Sequence, residues 1–157
     1  TLALDPEASG PDTHYKVMQA IAEAIRLYKE RHPEAPLRVW GYRNVWFKFQ
    51  PTDVNIFVPV SLNSMAIMKE TFKYCFQSQV DAPFPSFEFN GPFSGLAQAI
   101  QVQQHQDMKR VMGRDFWYEN THPRVRAAHG LVYLKEMELE EFYTRARELQ
   151  KVTESQA

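Results

Sequence analysis

Residues 37–50, LRVWGYRNVWFKFQ, interleave large rings with cations, and it is here that the sequence carries the most chemistry. In an extended chain, successive side chains point to opposite faces. Leu37, Val39, Val45, Phe47 and Phe49 then form one face, and Arg38, Trp40, Tyr42, Trp46 and Lys48 the other, with Arg43 at the bend between two strands. A sheet face of this kind stacks flat groups on its rings while its cations hold phosphates. It is equally a protein-binding surface, because Trp, Tyr and Arg dominate interface hot spots. The bland alternative is a helix lying over the rings, with the Arg and Lys stems covering their edges. The Lys/Arg-Gly-aromatic-Gly-aromatic spacing of sheet-based RNA readers is not matched. Two functional expectations follow. The first is a contact with a protein partner through Arg38, Trp40, Tyr42, Arg43, Trp46 and Lys48. The second is local binding of single-stranded nucleic acid through Arg38, Trp40, Tyr42, Arg43 and Lys48.

The best acid/base grouping is Asp115, Glu119, His122 and His129, in which a carboxylate would orient an imidazole that moves protons near neutral pH. His122 lies between Thr121 and Pro123, so its plain reading is a turn residue bonded to the backbone. A small hydrolase or isomerase built on Glu119, His122 and His129 is the third expectation. His14, His32, His105, His122 and His129 never adopt the two-His helical spacing of a zinc hydrolase, and no metal site is assigned. The six glycines are scattered singly, which removes phosphate-binding and dinucleotide loops. Cys75 lies on the inward side of its expected helix and reads as a small buried hydrophobe. No catalytic residue and no cofactor is assigned, and this lack of a catalytic signature moves weight toward a non-catalytic subunit or adaptor of a larger assembly.

The elements that would position these residues follow from periodicity. Residues 13–31 carry Val17, Ile21, Ala24 and Tyr28 at helical steps, with Asp12 or Thr13 as cap and Pro33 as stop. Residues 37–60 then alternate with period two in three runs. Gly41 to Asn44 and Gln50 to Asp53 supply the turns, so three strands form an antiparallel meander. Ser61 caps a second helix whose inward stripe is Leu62, Met65, Met68 or Lys69, Phe72, Cys75 or Phe76, and Gln79. Phe87 and Phe89 share a face of a short strand between prolines. Residues 94–112 form a helix whose Gln-rich middle breaks the apolar stripe, so it is expected to be largely exposed. Residues 124–135 either extend the last helix backward or form a hairpin across His129 and Gly130. The last helix spans residues 136–151, with Leu139, Phe142, Ala146 and Leu149 on one side.

Composition fits a globular chain of 157 residues, with 44% hydrophobic and 24% charged content. The expected fold is therefore α+β, mainly antiparallel, with helices on at least one face of the sheet. Its organisation is expected to be a flexible leading segment 1–12, a single domain 13–152 and a flexible tail 153–157. A lone cysteine excludes an intrachain disulfide and favours a reducing, intracellular home, either the cytoplasm or an organelle lumen after removal of a leader. No stretch is long and apolar enough for a membrane span. The formal charge of -1 gives no global attraction for a polyanion, so any nucleic-acid contact is local. Nothing in the sequence sets the oligomeric state.

Overall fold

A computed structural model of the chain describes residues 1–4, 12–43, 47–80 and 91–155. Among these the elements run β1 (Leu2–Ala3), α1 (Asp12–Arg31), β2 (Val39–Tyr42), β3 (Ile56–Ser61), α2 (Leu62–Cys75), α3 (Phe93–Met112), α4 (Arg114–Tyr118), α5 (Pro123–Arg126), β4 (Ala128–Met137) and α6 (Leu139–Ser155). The class is α+β, as the periodicity indicates. The strands form an open, mixed sheet in the order β1-β2-β4-β3. β1 pairs with β2 in parallel, and β2 pairs with β4 antiparallel with Trp40 opposite Glu136.

This order corrects the expected meander. No strand forms over residues 47–50, and residues 44–46, which include Val45 and Trp46, lie outside the described residues. A turn intervenes because Asp53 accepts the Gln50 backbone N–H at 3.1 Å, closing a short 3-10 turn at Pro51–Asp53. The place beside β2 is taken by β4, whose ten residues are one continuous strand rather than a hairpin or a helical extension. Gly41, expected in a turn, is instead inside β2. A Cβ there would meet Leu4 Cδ2 at 3.0 Å and Met137 Cε at 3.2 Å, so its missing side chain lets both pack against the strand. The expected strand through Phe87 and Phe89 lies outside the described residues.

The chain divides into two compact units, residues 1–56 with 134–157, and residues 57–133. In the first, α1 packs on α6 around Met18, Met137, Phe142, Ala146 and Leu149, all buried. Gln19 ties the two helices by donating to the Ala146 carbonyl at 3.0 Å. The expected α6 stripe is the observed one, but α6 begins at Leu139 because Glu136 and Met137 complete β4. On α1 the helix limits agree and the face does not: Met18 is buried, whereas Val17, Ala24 and Tyr28 are exposed. Two stripes at steps of three and four coexist in this helix, and periodicity alone does not choose between them. Residues 2–4, which carry no periodic signal, are held through β1, with Leu2 and Leu4 buried and the Leu4 N–H donating to the Tyr42 carbonyl at 2.7 Å.

In the second unit, Ser61 caps α2 by accepting the Ser64 N–H at 3.2 Å, as its position implies. α2 and α3 pack together, with Gln98 donating to the Met65 carbonyl at 2.8 Å. Leu131 and Tyr133 of β4, Val60, Met65 and Trp117 complete the buried set. Among the described residues no helix is long and apolar enough to cross a membrane.

Candidate functional site

The ring-and-cation residues are brought together only in part. β2 alternates as expected, with Val39 and Gly41 inward and Trp40 and Tyr42 outward, 41% and 37% exposed. Arg38 lies just before the strand and donates to Glu136 at 2.9 Å, with Glu138 at 3.7 Å. That hydrogen bond holds the Glu136 carboxyl below its ordinary range, and the Trp40 indole acts in the same direction. Arg43 turns away from this face. Its guanidinium donates to the carbonyls of Leu4 at 3.3 Å and Lys48 at 3.5 Å and lies 4.6 Å above the ring of buried Phe49. Lys48 is exposed but belongs to no strand, and Trp46 is outside the described residues. The described face is thus an exposed Trp and Tyr beside an Arg–Glu pair, with little uncompensated positive charge.

The acid/base residues do not assemble. Asp115 and Glu119 are exposed at the two ends of α4, and His122 is an exposed turn residue whose backbone N–H donates to the Asn120 side chain at 2.9 Å. His129 is exposed at the start of β4. Among the described residues no hydrogen bond or ion pair links Glu119, His122 and His129, and no group of three metal-type side chains is present.

Two features go beyond the sequence reading. The first is α2. Only Met65 on this helix is buried, with Phe72, seven residues on, half-buried. Ile67 and Tyr74 repeat the same spacing on the opposite side and are 59% and 78% exposed. Leu62, Met68 and Phe76 are exposed as well, so the expected inward stripe is mostly outward. An open concavity of about 520 Å³ is lined, among the described residues, by Ala66, Ile67, Glu70, Thr71, Tyr74 and Cys75. Cys75 is therefore exposed and not a buried hydrophobe. The helix was given one apolar face by its sequence pattern, yet apolar residues occur all round it.

The second feature is the inner side of α3. Gln98, Gln101 and His105 follow helical spacing and face inward, which overturns the expectation that the Gln-rich middle would be exposed. His105 is 3% exposed and packs edge-to-face on Trp117 of α4, ring centroids 4.6 Å apart. Gln101 Oε1, both His105 ring nitrogens and Trp117 Nε1 are buried without a hydrogen bond. Each such orphan costs about 1–3 kcal/mol. Burial holds the His105 ring below its ordinary pKa; the His129 backbone opposes this, and the charges of Lys109 and His129 reinforce it. Nearby, the Tyr133 hydroxyl donates to the Gln104 carbonyl at 3.0 Å, and burial, with Asp107 adding, pushes its pKa up to about 12. A spacing search for inward positions would have found His105 only by admitting polar residues to the stripe.

The molecule is thus of a definite class: an α+β chain with an open mixed sheet that exposes apolar side chains on α2 and β2. Comparison with known proteins finds no matching family model, no matching curated protein and no matching solved structure.

Proposed function

We propose that the protein is a non-catalytic subunit or adaptor that binds a protein partner, and that α2 is its main contact. The observation that carries this reading is the pair Ile67 and Tyr74, exposed on the side of α2 opposite its buried Met65. Apolar side chains exposed on the side of a helix away from its buried face mark interaction sites. Trp40 and Tyr42 on the open side of β2 supply a second contact of hot-spot composition, rimmed by the Arg38–Glu136 pair. The same pairing weighs against nucleic acid, because Arg38 is engaged by carboxylates and Arg43 by carbonyls, leaving few cations to neutralise phosphates. The lack of a hydrogen bond or ion pair among Glu119, His122 and His129 in the described residues weighs against the enzyme reading.

The test is the native mass of the protein in cell extract, with and without nuclease, for the natural chain and for Ile67→Asp, Tyr74→Ala and Trp40→Ala. The expected result is a nuclease-resistant particle much larger than 18.4 kDa that Ile67→Asp and Tyr74→Ala release. As exposed-site changes they leave folding stability within about 0.5 kcal/mol. Elution of the natural chain as a free monomer would sink the proposal. A particle dissolved by nuclease would transfer the argument to nucleic acid, and release by Trp40→Ala alone would make the sheet face the main contact.

A further inference from the structure

The Gln101, His105 and Trp117 cluster of the second unit is buried. A Cβ at Gly130 would collide with the Met65 methyl and stand 3.1 Å from Gln101 Cβ, so β4 and α3 are in close contact there. Trp117 of this cluster belongs to α4. This helix has five residues, far too few to hold itself together in water. Its ties to α3 lie within one turn: Trp117 on the His105 ring, and Tyr118 on Lys109 through a 2.9 Å hydrogen bond, with the ammonium 4.7 Å from the ring centre.

We propose that His105 is an acid-sensitive latch: the neutral ring holds α4 on α3, and protonation of that ring releases α4 and exposes Trp117. Among the described residues the His129 backbone is the acceptor that favours a proton on His105, and burial of the ring outweighs it. The charged groups around it do not compensate. Lys109 on α3 and His129 on β4 both oppose a positive ring. The acid of α4, Asp115, is exposed, and Asp107 of α3 is engaged by Gln103 and Arg110. On α2, Lys69, Glu70 and Lys73 are all exposed. The sign follows from linkage. In the released state the ring takes its ordinary value of 6.5, whereas in the packed state burial depresses it. The latch is therefore fully closed above pH 6.5 and weakens as pH falls from 6.5 toward the packed-state value.

The test is amide hydrogen exchange of the full chain, corrected for intrinsic rates, from about pH 7.5 to about pH 5.5, the range in which histidine charge changes. The expected result is that below pH 6.5 the open fraction of α4 rises by up to about tenfold per pH unit, while α1 and α6 do not follow. His105→Leu keeps α4 protected across the range, and His129→Gln retains the natural response. No acid response of α4, the same response in His105→Leu, or its loss in His129→Gln would each overturn the latch. If His105→Leu does not fold, the ring is titrated directly by NMR in the natural chain, and a value at or above 6.5 rejects the proposal.

Discussion

His105 and Gly130 show how single positions set the second unit. Both lie where sequence logic reads solvent or turn, in a Gln-rich run and at a His-Gly pair. Each is buried because α3 turns its polar side inward and β4 passes straight beneath it. Gly130→Ala is expected to destabilise the protein by about 1–3 kcal/mol through overpacking. The flexible Met65 end yields to a new methyl, but Gln101 Cβ at 3.1 Å and its carbonyl carbon at 3.3 Å do not. Thermal or denaturant unfolding measures the loss, and an unchanged midpoint would mean that β4 and α3 are less tightly joined than these distances require. Ala at Gly113 meets open space, but its φ of 79° is left-handed, so a cost there would be conformational and not steric.

At the scale of elements, boundaries were easier to read than faces. α1, α2 and α3 fall close to where caps, prolines and periodicity place them, because those signals act within a few residues of the chain. Ser61→Ala tests one such signal: the Ser61 side chain accepts the Ser64 N–H at 3.2 Å, and losing it should cost about 1 kcal/mol, read as earlier fraying of α2 by hydrogen exchange. No change in α2 protection would assign the start of the helix to its tertiary contacts. Faces depend on what the rest of the molecule brings, and there the sequence reading failed in an instructive way. It turned Val17 inward where Met18 is buried, gave α2 a core stripe that is largely exposed, and put the inner side of α3 in water. Strand neighbours are longer-range still. Local pattern leaves residues 124–135 open between a helical extension and a hairpin across His129 and Gly130, whereas the chain runs straight through Gly130, which lies close against α3. The candidate contact was half legible: Trp40 and Tyr42 do alternate outward, while Arg43 is diverted by carbonyls that no local pattern reveals.

Across the whole molecule, the first unit is assembled from the two ends of the chain, and this makes its stability non-local. Met18 on α1 is buried with Phe142, Ala146 and Leu149 on α6, and Gln19 bonds the Ala146 carbonyl across a separation of 127 residues. Closing so long a loop costs entropy that only the completed contact repays. α1 carries polar or exposed residues over most of its surface and has little reason to remain helical once α6 is gone, because most of a helix's stability in a protein comes from tertiary packing. A chain ending at Glu138 is therefore expected to lose exchange protection throughout α1. Phe142→Ala is the milder form of the same experiment. Phe142 is fully buried, and truncation of such a ring costs about 3–5 kcal/mol, a large share of the stability of an ordinary domain. If α1 kept its protection in the shortened chain, the helix would have to be held by β1 and its own side-chain pairs, such as Glu23 with Arg26, and the closure of the chain ends would not be what stabilises the unit.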